Sequence, residues 1–254
     1  MNFDVVTAEF LAIMLGAVRT GAWMMLCPPF NSRLIPGQVK ALMSVGLTLP
    51  MAPYLRSTVP SLETKDLIFS VLIQVFVGAS LGFLTLLLFA SFQAAGDLLD
   101  LFGGFTLAAT YDPFSQSSAS IFGRFYNLLA MTLLFASDGH QLILRGFLQS
   151  FRTLPLDASY DMEAFSRLLL RGIGEMFLAA IQIAGPLIAV LFLADVALGL
   201  LNRVAPALNA FQLGFPIKIF LLVTLAGIAI GMLPGLLDTV VDKAVTVVVR
   251  LGGG

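Results

Sequence analysis

The charged residues of this chain gather at a few points, and the stretches between them are almost wholly apolar. The longest such stretch runs from Leu67 to Gly96 without one charged side chain. A membrane strand would alternate over about ten residues, so a continuous run of this length reads as helix, which would reach about 45 Å. That exceeds a hydrocarbon core of roughly 30 Å, so the helix must tilt, kink or stand partly outside lipid. An earlier apolar segment, from about Val5 to Cys27, is interrupted by Arg19 and stopped by Pro28 and Pro29, which cannot donate helical hydrogen bonds. A polar turn from Ser32 to Gly37 precedes a second helix expected near Gln38 to Met51. Pro50, Pro53 and Pro60 mark its end and an irregular connection that also holds Arg56, Glu63, Lys65 and Asp66. Further helices are expected over about Ile121 to Ala136, Gln141 to Arg152, Met162 to Leu201 and Phe211 to Val249. Pro186 and Pro234 lie inside the last two, each a kink or a break. The pattern predicts an all-α protein of about six or seven helical segments, with a long hairpin in its last third.

Composition turns this pattern into a membrane protein. Of 254 residues, 58% are hydrophobic and only 11% charged, with a mean hydropathy of +0.96. A soluble domain carries roughly a quarter charged residues, so water is not the only solvent this surface meets. A net charge of -1 offers no field to a phosphate backbone, which argues against nucleic-acid binding. The lone Cys27 excludes an internal disulfide and reads as a small buried hydrophobe, and the lone His140 cannot assemble a zinc site. Asp4 and Glu9 stand where a cleavable signal would be positive, so insertion is expected to rely on mature spans. Arg33 and Lys40 weakly favour a cytoplasmic turn between them.

Three constellations carry functional meaning. From Gly103 to Gly123 the chain is rich in glycine, alanine and serine, and contains Tyr111-Asp112-Pro113-Phe114-Ser115-Gln116-Ser117-Ser118. Nonhelical backbone at membrane depth must line protein or a water-filled cavity, which makes this a candidate pore constriction or plug. The plainer alternative is an exposed loop in which Asp112 caps the next helix. The second is the set of charges in apolar surroundings, Arg19, Asp97, Asp100, Asp195, Arg203 and Lys218, each costing roughly 2.5 to 3.5 kcal/mol in hydrocarbon. They face protein or water, or snorkel to an interface. A pairing of Asp195 with Arg203 would have to span about 12 Å of straight helix. The third is close helix packing, signalled by Gly78 with Gly82 and by Gly227 with Gly231, whose partners the sequence does not name.

Catalysis has no foothold. Asp138-Gly139-His140 could set an acid beside a base, but residues so close along a chain usually serve a turn or helix cap. No activated-serine elbow, phosphate loop or metalloprotease helix occurs. No enzyme activity and no cofactor is expected.

Taken together, these residues resemble the FliR family of the bacterial flagellar and type III protein export apparatus over nearly the entire chain. The resemblance rests on Arg19; Ala95-Gly96-Asp97 followed by Gly103; Asp112-Pro113; Asp138, Gly139 and His140; Pro186; and Asp195 with Gly199-Leu200-Leu201. Its densest cluster is Arg203, Pro206, Asn209, Phe211, Gly214, Phe215, Pro216 and Lys218. Gln141 stands where many relatives have a second histidine, and Ala207 where glutamine is common, which weakens any role for those two side chains.

The resemblance implies an all-α membrane protein with long helical hairpins and broken helices, set within a hetero-oligomeric export gate. It implies a single FliR-like domain over residues 1–254, with an approximately FliP-like portion over 1–200 and part of a FliQ-like hairpin over 201–254. One copy would join several FliP-like and FliQ-like subunits, with an FlhB-like protein at the cytoplasmic entrance, in the inner membrane and flagellar basal body. Much of the assembly would be raised toward the periplasm. Membrane lipids and unfolded flagellar export substrates would be the other partners. The family's plug maps to the region around Ala109 to Ser120, with Phe114 as the best candidate for closing against small molecules. Asp138, Gly139, His140, Arg203, Pro206, Asn209, Phe211, Phe215, Pro216 and Lys218 would serve assembly. The competing reading is an ion-coupled small-solute secondary transporter, which the broken helices favour and the absence of an inverted repeat opposes.

Overall fold

The computed structural model describes residues 3–59, 64–105, 120–157, 162–206, 210–231 and 235. Helix is the only regular secondary structure among them. The helices are α1 (Phe3–Leu26), α2 (Gly37–Thr48), α3 (Ala52–Leu55), α4 (Thr64–Gly103), α5 (Ile121–Ala136), α6 (Gly139–Thr153), α7 (Met162–Val204) and α8 (Ala210–Ile230). Among the described residues, three segments are long and apolar enough to cross a membrane: Val6–Leu26, Lys65–Gly103 and Met162–Val204.

The boundaries differ from the sequence pattern where local chemistry intervenes. Pro50 lacks an N–H, so α2 stops at Thr48 and the chain passes through short 3₁₀ turns at Leu49–Met51 and Arg56–Thr58 on either side of α3. Helix α4 continues through Asp97 and Asp100 to Gly103, because Asp100 is 1% exposed and engaged by backbone and hydroxyl donors from α5. Helix α7 runs unbroken through Pro186. Beyond α8, all of the expected last helix but Gly231 and Gly235 lies outside the described residues, Pro234 included.

The chain divides into two compact units, to both of which α4 and α7 contribute. The first holds the described residues up to Leu88 together with Asp138–Gly172. In it, Gly78 and Gly82 of α4 press on the backbone carbonyls of Arg19 and Trp23 in α1; a Cβ at Gly82 would lie 2.7 Å from the Trp23 oxygen. The small-residue pair therefore finds its partner within the same chain. Trp23 stacks on Phe147 of α6 with ring centroids 4.3 Å apart. Helix α6 buries one face, Ile143, Gly146, Phe147, Ser150 and Phe151, as an amphipathic period requires.

Arg19, fully buried, closes this unit. Its Nε donates to Gln74 Oε1 at 2.6 Å, and its Nη1 to the carbonyls of Leu154 at 2.8 Å and Ser150 at 3.3 Å. The guanidinium also lies 4.6 Å from the centre of the Phe151 ring. Those carbonyls lie at the C-terminal end of α6, where the helix dipole is negative, and the Ser150 carbonyl also accepts the Leu154 N–H at 2.8 Å. Arg19 is thus a helix cap supplied from a distance.

The second unit takes Phe89–Ser137 and the described residues from Ile173 onward. Helix α5 buries Phe122, Gly123, Tyr126, Ala130 and Leu134, a single stripe at helical spacing. Gly96 of α4 meets the Phe122 backbone, an approach that leaves no room for a Cβ.

Candidate functional site

The candidate plug residues Ala109, Tyr111, Asp112, Pro113, Phe114, Ser115, Gln116, Ser117 and Ser118 lie outside the described residues. Both flanks of that segment are described, and both belong to the second unit.

At the departing flank, α4 ends in Gly103 and turns at Gly104, whose φ of +84° lies in the left-handed region that glycine adopts without strain. The Gly104 N–H returns to the Leu101 carbonyl at 3.3 Å. The Phe215 ring of α8 lies so close that a Cβ on Gly104 would stand 2.9 Å from it, and Leu222 fills the same role at Gly103. Glycine is thus required twice over at Gly104, by conformation and by space. The Lys218 ammonium donates to the Phe102 carbonyl at 3.3 Å and pairs with Asp195 Oδ1 of α7 at 2.5 Å.

At the returning flank, Ser120 is the N-cap of α5. Its Oγ accepts from the Gly123 N–H at 2.8 Å and donates to Asp100 Oδ2. The same carboxylate oxygen accepts from the Phe122 N–H at 3.0 Å. A carboxylate at a helix N-terminus satisfies orphan donors and meets the positive end of the dipole. Asp100 Oδ1 has no hydrogen-bond partner among the described residues. Phe105 from one flank meets Phe122 from the other, edge to face at 5.6 Å between centroids. The ends of the 106–119 segment are therefore held together at one place.

Asp195 pairs with Lys218 and not with Arg203, which shares its unbroken helix and is exposed. The N-cap of α5 is Ser120 backed by Asp100; Asp112, the alternative cap, lies outside the described residues.

The family model described as "Bacterial export proteins, family 1" matches residues 10–244. The flagellar biosynthetic protein FliR of Pectobacterium carotovorum is 33% identical over 217 residues, covering 85% of this chain and 83% of its own. FliR of Bacillus subtilis is 31% identical over 220 residues, with 83% and 82% covered. FliR of Escherichia coli is 30% identical over 203 residues, with 80% and 77% covered. The chain belongs to the FliR family. It is accordingly a membrane protein of a bacterial export apparatus.

The positions that carried the FliR resemblance fall in both units. Phe215 and Lys218 stand at the root of the 106–119 segment. Pro216 is exposed in the first turns of α8, and Arg203 and Pro206 are exposed at the end of α7 and just past it. Asn209 lies outside the described residues, and Phe211 is described only as backbone of α8. Asp138, Gly139 and His140 start α6 in the first unit. Asp138 takes φ 56° at the cap position, and its Oδ1 accepts from Gln141 Nε2 at 3.1 Å, as a turn residue would. The sequence marked Asp100 only as a charge in apolar surroundings and Ser120 only as the end of the plug region, without pairing them at the head of α5. The signal available was a serine three residues before a glycine at the head of an apolar run, with nothing local to point at Asp100.

Proposed function

We propose that this chain is the single-copy FliR-like core subunit of the flagellar type III export gate, conducting unfolded flagellar proteins across the inner membrane. Residues 109–120 serve as its seal. The observation that carries this reading is the common root of the segment. A segment whose two ends are pinned by a capped helix C-terminus, a capped helix N-terminus and an aromatic contact can be displaced along its length and still return. Phe114 supplies apolar bulk among short side chains, so the idle seal works by steric closure and dehydration, and an entering chain displaces it. No covalent chemistry on the substrate is involved.

A second observation supports partners around the chain. Across the 18-residue apolar stretch of the α7 span 28% of the residues are buried, against 56% across that of the α4 span, and an apolar helix so open needs lipid or other helices. In this reading FliP-like and FliQ-like subunits cover it, an FlhB-like protein surrounds the cytoplasmic entrance, and membrane lipids meet the rest. Residues 1–200 correspond to a FliP-like portion and 201–254 to part of a FliQ-like hairpin. The assembly belongs to the inner membrane and flagellar basal body, with much of it raised toward the periplasm. Intact mass measurement of the complex purified through a tag on this chain is the test. One copy of the chain with several copies of two other subunits is expected; a mass accounted for by this chain alone would contradict the proposal.

A further inference from the structure

One face of α8 is committed to the end of α4. Phe215, Lys218 and Leu222 recur at three- and four-residue intervals, so they share that face. They meet Gly104, the Phe102 carbonyl and Gly103 respectively. Phe102 is among the last four carbonyls of α4, which have no intrahelical donor. An ammonium is well suited to this position because it carries three donors and lies at the negative end of the helix dipole. The same ammonium holds Asp195 of α7 at 2.5 Å, and its side chain is only 18% exposed. Gly214 of α8 faces Leu198 of α7 closely enough that a Cβ would stand 3.3 Å from it. One cation thus joins three helices within the second unit, four residues before the segment begins.

We propose that Lys218 is a positioning residue, through which the α7–α8 pair fixes the last turn of α4 and so the point from which residues 106–119 depart. Asp195 acts at one remove, holding the ammonium on the carbonyl. The consequence for transport rests on reading that segment as the seal; the anchoring itself does not.

The experiment uses the assembled complex carrying Lys218→Gln, Lys218→Arg, Asp195→Asn or a deletion of residues 112–118, followed by amide hydrogen exchange and by ion conductance in planar bilayers. Lys218→Gln is expected to speed exchange of the Leu101 to Phe105 amides by about tenfold, the effect of losing one charge-assisted hydrogen bond. Phe122 and Gly123, held by Asp100 and Ser120, are expected to keep their rates. Lys218→Arg should restore most of the protection. Should Lys218→Gln fail to assemble, Asp195→Asn leaves ammonium and carbonyl in place and should raise the same amides by about threefold. Unchanged exchange at Leu101 to Phe105, or an equal rise at Phe122 and Gly123, would overturn the inference. Conductance then separates the two ideas. If the deletion leaks and Lys218→Gln leaks less but measurably, anchor and seal are both supported. If the deletion stays tight, the seal reading falls, and the exchange result alone decides for or against the anchor.

Discussion

Each unit uses a cation to finish a helix belonging to another part of the chain, and the two cations are built differently. Arg19 is fully buried, donates to two carbonyls at the end of α6 and to Gln74, and lies over the Phe151 ring. Lys218 is partly exposed, donates to a single carbonyl at the end of α4, and shares its charge with a carboxylate that is itself 45% exposed. A planar guanidinium fixes several partners in one geometry, whereas an ammonium on a flexible stem is a point charge that can shift between acceptors. The arginine suits a joint that must not move. The lysine suits one that holds the root of a segment which, as a seal, has to yield.

Substitutions can break that contrast, beginning with the largest effect. Arg19→Ala strips the arginine donor from buried Gln74 and from the Leu154 carbonyl, while the Ser150 carbonyl keeps the Leu154 N–H, and we expect a loss on the order of 3 kcal/mol or more. The readout is thermal unfolding of the complex in detergent together with the amount of chain accumulating in membranes. Arg19→Lys should recover only part, since one ammonium cannot reproduce the fork. If the lysine variant were as stable as the parent, the distinction between the two joints would lose its basis. Asp100→Ala removes the carboxylate behind the α5 cap and should cost about 1 to 2 kcal/mol, with exchange rising at Phe122 and Gly123 while the amides around Ser150 and Leu154 keep their protection. Asp195→Asn stands last, at no more than about 1 kcal/mol of stability, because a half-exposed pair is screened by solvent. A larger loss there would mean that the second joint is as rigid as the first.

How much of this the sequence disclosed follows from the range of each interaction. Helices were legible because apolar runs of such length have no other way to satisfy their backbone in a membrane, and the family was legible because its motifs occur in order along the chain. The close approach at Gly78 and Gly82 was readable as well, although its partner in α1 was not. Arg19 stood out as an expensive charge, yet Gln74 lies 55 residues away and the Leu154 carbonyl 135, and no local pattern links them. The extension of α4 past Asp97 was hidden for the same reason, since Ser120 and Phe122 hold Asp100 from the far side of the segment. For Asp195, the length of straight helix to Arg203 correctly opposed that pairing without revealing Lys218, which lies on another helix.

The measurement that bears most directly on the central claim is the electrical conductance of the purified, fully assembled complex in a planar bilayer, with and without residues 112–118. A marked rise in ion current on deletion, with subunit composition unchanged, is the result this account predicts. A current no greater than that of the intact complex would contradict it.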